Sequence, residues 1–548
     1  MMSPFCGYGI PESTLSTVHS APKLVVMQDL LATPGRSLKF RHQIVIKETR
    51  IMTEADGEGR SSIGQFYHGK TVFITGATGL MGKVLVEKLL RSTSLAKIFL
   101  LIRPKKDTAA QIRLKNLMET PIFNKLRMED EEALRKVVAM SGDITEDRLG
   151  LTFEEESILV NSVNIIFHCA ATVRFDETLS VSVGVNVAGL GGMLSLAKNM
   201  NHLEAMVHVS TAYCNDNQTN IEERIYKPPG NPRGMVELCQ WMDPEIINNP
   251  EVMQKIVGDR PNNYSFTKAL AESLLASESN GLPIAVMRPS IVAASWKEPM
   301  PGWVDNLKGP SGVIAGIGKG VLRTIYCRRN SVADLVPVDV CINFLCAIAW
   351  ETANSGSGKP IKVYNCTSGS LNPITWGQME VLLPSAIKKA AFEGTLWAAN
   401  ISAKKNLHIN KLHQLLFHYG PALWVDLFCR LLGRQPFLTR VSDMMQKLTK
   451  AYEPYTTATW TWNSDNLLSL EASLTEEDRR TFGFDMRGLH WPTYLDLYCQ
   501  GIRDFVFQDS TESQVACRRK LKWLNLVDSM VKGFVLLLVA FLLYRLFF

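Results

Sequence analysis

A tyrosine and a lysine stand four residues apart in Tyr264-Ser265-Phe266-Thr267-Lys268. On a helix this spacing puts both side chains on one face, within reach of one reacting centre. A phenol ordinarily titrates near pH ~10, and a neighbouring ammonium favours its ionised form. Such a tyrosine can pass a proton to a carbonyl oxygen as hydride reaches the carbon, and the lysine can also hydrogen-bond a nicotinamide ribose. The same spacing arises by chance as a partly exposed helical pair, so it needs company. Ser210-Thr211 closes the apolar run AMVHVS upstream. A hydroxyl there can hold the carbonyl oxygen as negative charge develops, or serve only as strand-to-loop turn chemistry.

A second constellation precedes the first. The run TVFIT enters Thr75-Gly76-Ala77-Thr78-Gly79-Leu80-Met81-Gly82 and then a helical pattern, giving a G-x-x-G-x-x-G turn between strand and helix. Glycines in that place let a pyrophosphate approach backbone amides at a helix N-terminus, although tight packing alone can also call for them. The next strand, KIFLLI, ends at Arg103, with Lys105 and Lys106 behind it. An NAD-preferring fold places an acidic residue here, about 20 residues after the glycines. A basic residue suits the 2′-phosphate of NADP, so NADPH is the expected cofactor; the alternative is a solvated basic loop. Asp143, in Gly142-Asp143-Ile144, is a candidate for the adenine edge or for plain turn chemistry. Cys169 lacks a recognisable partner base and is not expected to act as a nucleophile. His408, His413 and His418 recur every five residues, which scatters them around a helix, so no metal site is expected.

Strands must position these groups. From Lys70 onward, KTVFIT, KIFLLI, VVAMSGDI, NIIFHCAA, AMVHVSTAY and IAVMRPSIV alternate with helical patterns, the first of them over residues 81–90. That alternation predicts a doubly wound α/β domain of Rossmann type, its parallel sheet covered on both faces. Beyond about residue 375 the pattern turns helical, predicting a smaller helical C-terminal domain. The expected divisions are a flexible extension over 1–65, the cofactor-binding and catalytic domain over 66–375, and the helical domain over 376–505. A basic linker over 506–523 and a membrane anchor over 524–548 complete the chain.

Composition limits the function classes. With 20% charged residues and a net charge of +6 over 548 residues, the basic excess is too diffuse to imply a nucleic-acid partner. Eleven cysteines without a C-x-x-C pair fit a reducing compartment, and the first 30 residues hold no secretory leader pattern. The basic cluster Arg518-Arg519-Lys520-Leu521-Lys522 precedes an uncharged run over 533–544. That run is shorter than the ~20 residues of a comfortable span, yet no later domain follows to cover it. A tail or in-plane anchor with a cytosolic body is expected, against the alternative of a buried core helix. Residues 412–432 are also apolar, but Pro421, Asp426 and Arg430 favour a domain core or an interfacial helix over a span.

Together the glycine loop, HCAA at 168–171, Ser210-Thr211-Ala212-Tyr213 and the Tyr264/Lys268 pair resemble an extended short-chain dehydrogenase. Arg288-Pro289-Ser290-Ile291-Val292, EPMPGWVDNLKGPSG at 298–312 and ADLVPVDV at 333–340 narrow the likeness. With the helical C-terminal region, they resemble the alcohol-forming fatty acyl-CoA reductases of animals, over roughly residues 65–505. The resemblance implies two-hydride reduction of a long-chain acyl-CoA by NADPH to the fatty alcohol, without an acyl-enzyme. It also implies Tyr264 and Lys268 as the catalytic pair, Thr211 as the assisting hydroxyl beside Ser210, and Gly76, Gly79 and Gly82 as the cofactor loop. The expected partners are the acyl-CoA substrate and a lipid membrane, that of the endoplasmic reticulum first and of the peroxisome second. The alternatives are a membrane-bound enzyme of the same architecture acting on a 3β-hydroxysteroid, and a non-catalytic NADP-responsive tether.

Overall fold

Apolar runs become the strands of one sheet in the computed structural model, which describes residues 61–105 and 107–547. The strands are β1 (Thr71–Thr75), β2 (Lys97–Ile102), β3 (Val137–Ser141), β4 (Ile165–His168), β5 (Ala205–Val209), β6 (Ile284–Pro289) and β7 (Lys362–Cys366). Their order is β7-β6-β5-β4-β1-β2-β3, and every pairing is parallel. Alternation splits their side chains between two apolar cores. Val72, Ile74, Ile98 and Leu100 face one, while Phe73, Phe99, Leu101 and Ile166 face the other. The order reverses between β2 and β4 on either side of β1, which makes the carboxyl ends of β1 and β4 the natural ligand crevice.

The helices that matter for the site are α1 (Ser62–Phe66), α2 (Leu80–Ser92), α3 (Asn263–Glu278) and α4 (Val338–Ser355). Further along come α5 (Leu407–Gln414), α6 (Gly420–Leu431), α7 (Leu438–Thr457), α8 (Trp491–Gly501) and α9 (Ser513–Phe547). Helix α1 begins inside the stretch expected to be extension. Ser61 Oγ donates to Asp478 Oδ1 at 2.5 Å and Tyr67 donates to the Cys346 carbonyl at 3.0 Å, so the body starts at residue 61. The rest of the expected extension, residues 1–60, lies outside the described residues, as does Lys106.

Two expected boundaries are not where the sequence pattern puts them. Leu467, Leu470, Phe482 and Phe484 bury themselves in the same core as Val72 and Ile74, so the chain beyond residue 375 helps build the α/β unit. Residues 513–547, which take in most of the expected linker and the expected anchor, form one continuous helix, α9. Its Leu521, Leu524 and Asp528 are buried against the body, so the apolar end departs only after Asp528. Among the described residues, the stretch long and apolar enough to cross a membrane is Leu179–Lys198, and most of it is buried in the body. Residues 412–432 are not core, because Leu412, Leu416, Trp424 and Phe428 stand exposed.

Candidate active site

Each glycine of the first loop has a separate geometric task. Gly76 adopts φ +75°, and a Cβ there would lie 2.7 Å from the Ala170 nitrogen at the end of β4. At Gly82 a Cβ would come within 2.4 Å of the Gly76 carbonyl, so this glycine lets α2 sit on the loop. Gly79 is the least crowded of the three. A Cβ there would meet only the Gly76 carbonyl oxygen, at 3.3 Å, and Gly79 caps α2 without a side-chain bond to the first amides. The first amides of α2 are thus not taken up by a side-chain cap, as an anion-binding helix N-terminus requires. Thr75 fastens the loop from behind, its hydroxyl bonded to His168 Nδ1 at 3.0 Å and accepting from the Ala170 amide at 3.2 Å.

Beside the loop, Arg103 and Asp143 come together at the ends of β2 and β3. Arg103 Nη1 donates to Asp143 Oδ2 at 3.2 Å, with the arginine side chain 62% exposed. An exposed pair of this kind contributes at most about 1 kcal/mol and yields readily to a stronger anion. Asp143 also accepts from the amide and hydroxyl of Thr145, so it keeps a turn as well as the arginine. Arg113, which sequence reasoning overlooked, donates to the Arg103 carbonyl and adds a second guanidinium to this edge.

The tyrosine and lysine are set by the start of α3. Asn262 caps it, its side chain accepting from the Ser265 amide at 3.0 Å, which places Tyr264 in the first turn. Asn186 holds the far side of that turn by donating to Thr267 Oγ1 at 3.0 Å. Burial pushes the half-buried Tyr264 phenol up to about 12, and the hydrogen-bonding Thr211 side chain pulls the other way. This corrects the expectation of an ammonium-favoured phenolate. Lys268 Nζ instead donates to the Val209 carbonyl at 2.8 Å, and burial sets the direction of the phenol's shift. The consequence suits a proton donor, since Tyr264 stays protonated at neutral pH. Lys268, fully enclosed, is brought down to about 8 by burial, against the upward pull of Glu272.

Ser210 and Thr211 part ways. The Ser210 hydroxyl donates to Glu272 Oε1 at 2.5 Å, while Thr211 faces Tyr264. Glu272 is one helical turn beyond Lys268 and receives Arg288 through Nε at 2.9 Å and Nη2 at 2.6 Å. Burial alone would raise its carboxyl, but the Arg288 charge and hydrogen bonds hold it below the usual range. This enclosed ion pair was not foreseen. Only the Arg-Pro-Ser string hinted at it, because nothing local ties residue 288 to residue 272.

An aromatic wall from the C-terminal region covers the tyrosine. Phe175 lies 5.8 Å from the Tyr264 ring, with Tyr455 of α7 5.3 Å beyond it and Tyr452 at 5.8 Å. Asn262, the cap of α3, donates to the Tyr455 hydroxyl at 2.9 Å, linking the two elements directly. The motif aspartates act as fasteners around this end of the sheet. Asp334 accepts from Ser290 and from the Ser368 and Gly369 amides, and Asp339 accepts from the amides of residues 296–298. Cys169 stands nearby, but burial pushes its thiol up to about 12, which opposes a thiolate. Among the described residues no His, Cys, Asp and Glu cluster has metal-binding geometry.

Residues 74–345 and 417–509 match two family descriptions, each given as male sterility protein. Fatty acyl-CoA reductase 1 of Xenopus laevis is 41% identical over 89% of this chain and 93% of its own. Fatty acyl-CoA reductase 2 of Homo sapiens is 38% identical over 85% of this chain and 90% of its own. In fold, the terminal R domain from the myxalamid PKS-NRPS biosynthetic pathway superposes with a TM-score of 0.52 at 18% identity. That match covers 84% of this chain and 97% of that domain. With about 40% identity to such relatives over most of its length, and a family match that takes in the glycine loop and the Tyr264/Lys268 helix, this chain belongs to the fatty acyl-CoA reductase family.

Proposed function

We propose that this protein reduces long-chain fatty acyl-CoA to the fatty alcohol, with NADPH as its reductant. The observation that carries the reading is Tyr264, protonated and facing Thr211, with Lys268 one turn behind it at the carboxyl ends of β4 and β5. The residues fit a dinucleotide: the first amides of α2 lack a side-chain cap, and Gly76 and Gly82 leave no room for a side chain in the loop beneath them. When bound, the nicotinamide supplies hydride. The protein's own part is protonic and positional. Each of the two reductions, thioester and then aldehyde, leaves negative charge on a carbonyl oxygen, and Tyr264 is placed to give that oxygen its proton while Thr211 holds it; between them the hemithioacetal loses its hydroxyl proton, its C–S bond breaks, and CoA departs as the thiol to leave the aldehyde.

Lys268 sits on the backbone of β5 and carries a positive charge toward the same centre below pH about 8. The aromatic wall of Phe175, Tyr452 and Tyr455 offers an apolar bed that excludes water from the thioester end of an acyl chain. Arg103 and Arg113 favour a 2′-phosphate, with Asp143 steadying Arg103 in its absence. The end of α9 beyond Asp528, about 28 Å at 1.5 Å per residue, is close to the ~30 Å of a bilayer core and serves as anchor. The body then faces the cytosol, at the endoplasmic reticulum in the first instance and the peroxisome in the second. Membranes carrying the full chain, given acyl-CoAs of graded length with NADPH or NADH, test this by the lipids formed. Fatty alcohol from NADPH supports the reading; release of neither alcohol nor aldehyde at any length refutes it.

A further inference from the structure

Helices α5 and α6 are built inside out. On α5 and the turn after it, Asn410, Gln414 and His418 point inward and are buried, while Ile409, Leu412, Leu415 and Leu416 are about half exposed. On α6 the buried residues are Ala422 and Asp426, and the outward ones are Leu423, Trp424, Leu427, Phe428 and Leu431. Specific bonds fix this orientation. Asn410 accepts from Thr324 Oγ1 at 2.8 Å, His418 Nε2 accepts from the Arg323 amide at 2.9 Å, and Asp426 caps α7 through the Phe437, Leu438 and Thr439 amides at 2.9 Å each. Asn410, His418 and Asp426 are thus satisfied, and rotating either helix to hide its leucines would strand them. A water-facing helix has the opposite polarity, and a contiguous exposed apolar face marks a contact surface.

Two observations say what covers it. The flanks are basic: residues 404–450 hold eight Lys and Arg against two acidic residues, of which Asp426 is buried. Lys411, Arg430, Arg434 and Arg440 form no ion pair among the described residues. The face also adjoins the point where the apolar end of α9 leaves the body. Arg323, whose amide donates to His418, donates through Nη2 to Asp528 at 2.8 Å, and its guanidinium lies over the Phe417 ring at 5.2 Å. We propose that the outer face of α5 and α6 is a second membrane-contact surface, immersed in the acyl boundary of an anionic leaflet, so that the body lies on the lipid instead of hanging from a tail. This goes beyond the anchor reading, and it places the chain segment just ahead of the α7 aromatic wall at the lipid surface.

The test uses the full-length protein in vesicles of phosphatidylcholine and phosphatidylserine that contain a diazirine-bearing phosphatidylcholine. After photolysis, adducts are mapped on peptides by mass spectrometry. Adducts on residues 409–432 as well as 530–547 are expected, with none on the peptide holding Trp241, which is 81% exposed but has no such face. The triple change Leu416→Glu, Trp424→Glu and Phe428→Glu should remove the 409–432 adducts and keep the tail adducts; a circular dichroism melt confirms that it is folded. Adducts confined to 530–547 overturn the proposal and leave the anchor standing, whereas adducts on neither segment overturn both. Cross-links from Lys411 to a second copy, or to residues 1–60, in place of lipid adducts also overturn it.

Discussion

Replacing Glu272 by glutamine removes one negative charge from beneath the catalytic helix while keeping the side chain's shape. The carboxylate takes two bonds from Arg288, one from Ser210 at 2.5 Å and one from Cys214 Sγ at 3.1 Å, all enclosed. Removing one partner of such a pair leaves Arg288 buried without its counter-charge, at a cost of about 3–5 kcal/mol. A second effect reaches the chemistry. Glu272 is one turn from Lys268 and raises its pKa against burial, so its loss moves the lysine below about 8. Side chains one turn apart on a helix are about 6 Å apart, and an effective dielectric of about 20 gives about 2.8 kcal/mol, or about two pH units as an upper bound. The sign follows from which form works. If the ammonium is needed, kcat/KM for NADPH falls as pH rises through about 8 in the native enzyme and at lower pH in Glu272→Gln, while Tyr264, held up to about 12, stays protonated throughout. The assay is the pH profile of kcat/KM for the two proteins in detergent, with thermal melts alongside. An unchanged melt together with an unmoved alkaline limb would refute the reasoning.

Other outcomes follow from the same geometry. Arg103→Asp reverses the charge at the cofactor edge and should cost about 10-fold to 150-fold in NADPH affinity relative to NADH, read from the ratio of the two KM values. Gly76→Ala forces a side chain into positive φ and to within 2.7 Å of the Ala170 nitrogen, so nucleotide binding measured by fluorescence titration should be lost. Truncation after Ser529 should leave a folded, active protein that no longer resists carbonate extraction and stays on anionic vesicles only through the α5 and α6 face. Truncation after Trp523 also removes Leu524 and Asp528, the latter bonded to Arg323 and Trp397, and should lower the melting temperature.

What the sequence made legible was local. The glycine loop, the Tyr264/Lys268 spacing and the six strands quoted above depend on neighbours within a few residues, and all appear in the structure. β7 went unread because KVYNC is short and interrupts its apolar run with an asparagine. The long-range features were out of reach for a physical reason. Glu272 meets Arg288, and Tyr264 meets α7 through Phe175, only after the sheet has closed, so no spacing encodes them. The polarity of α5 and α6 was ambiguous for a related cause. Their polar and apolar residues share one helical period, and only the partners Thr324, Arg323 and the α7 amides decide which face turns in. The upward shift of Tyr264 was out of reach because helical spacing says nothing about desolvation.

The most direct measurement compares the purified full-length protein with Tyr264→Phe, each given a long-chain acyl-CoA and NADPH, with fatty alcohol quantified by mass spectrometry. The native protein should release CoA and form alcohol with about two NADPH consumed per alcohol, and Tyr264→Phe, unchanged in its melt, should fall by about 100-fold to 10,000-fold. Alcohol formation by Tyr264→Phe at the native rate would contradict the assignment of the proton donor.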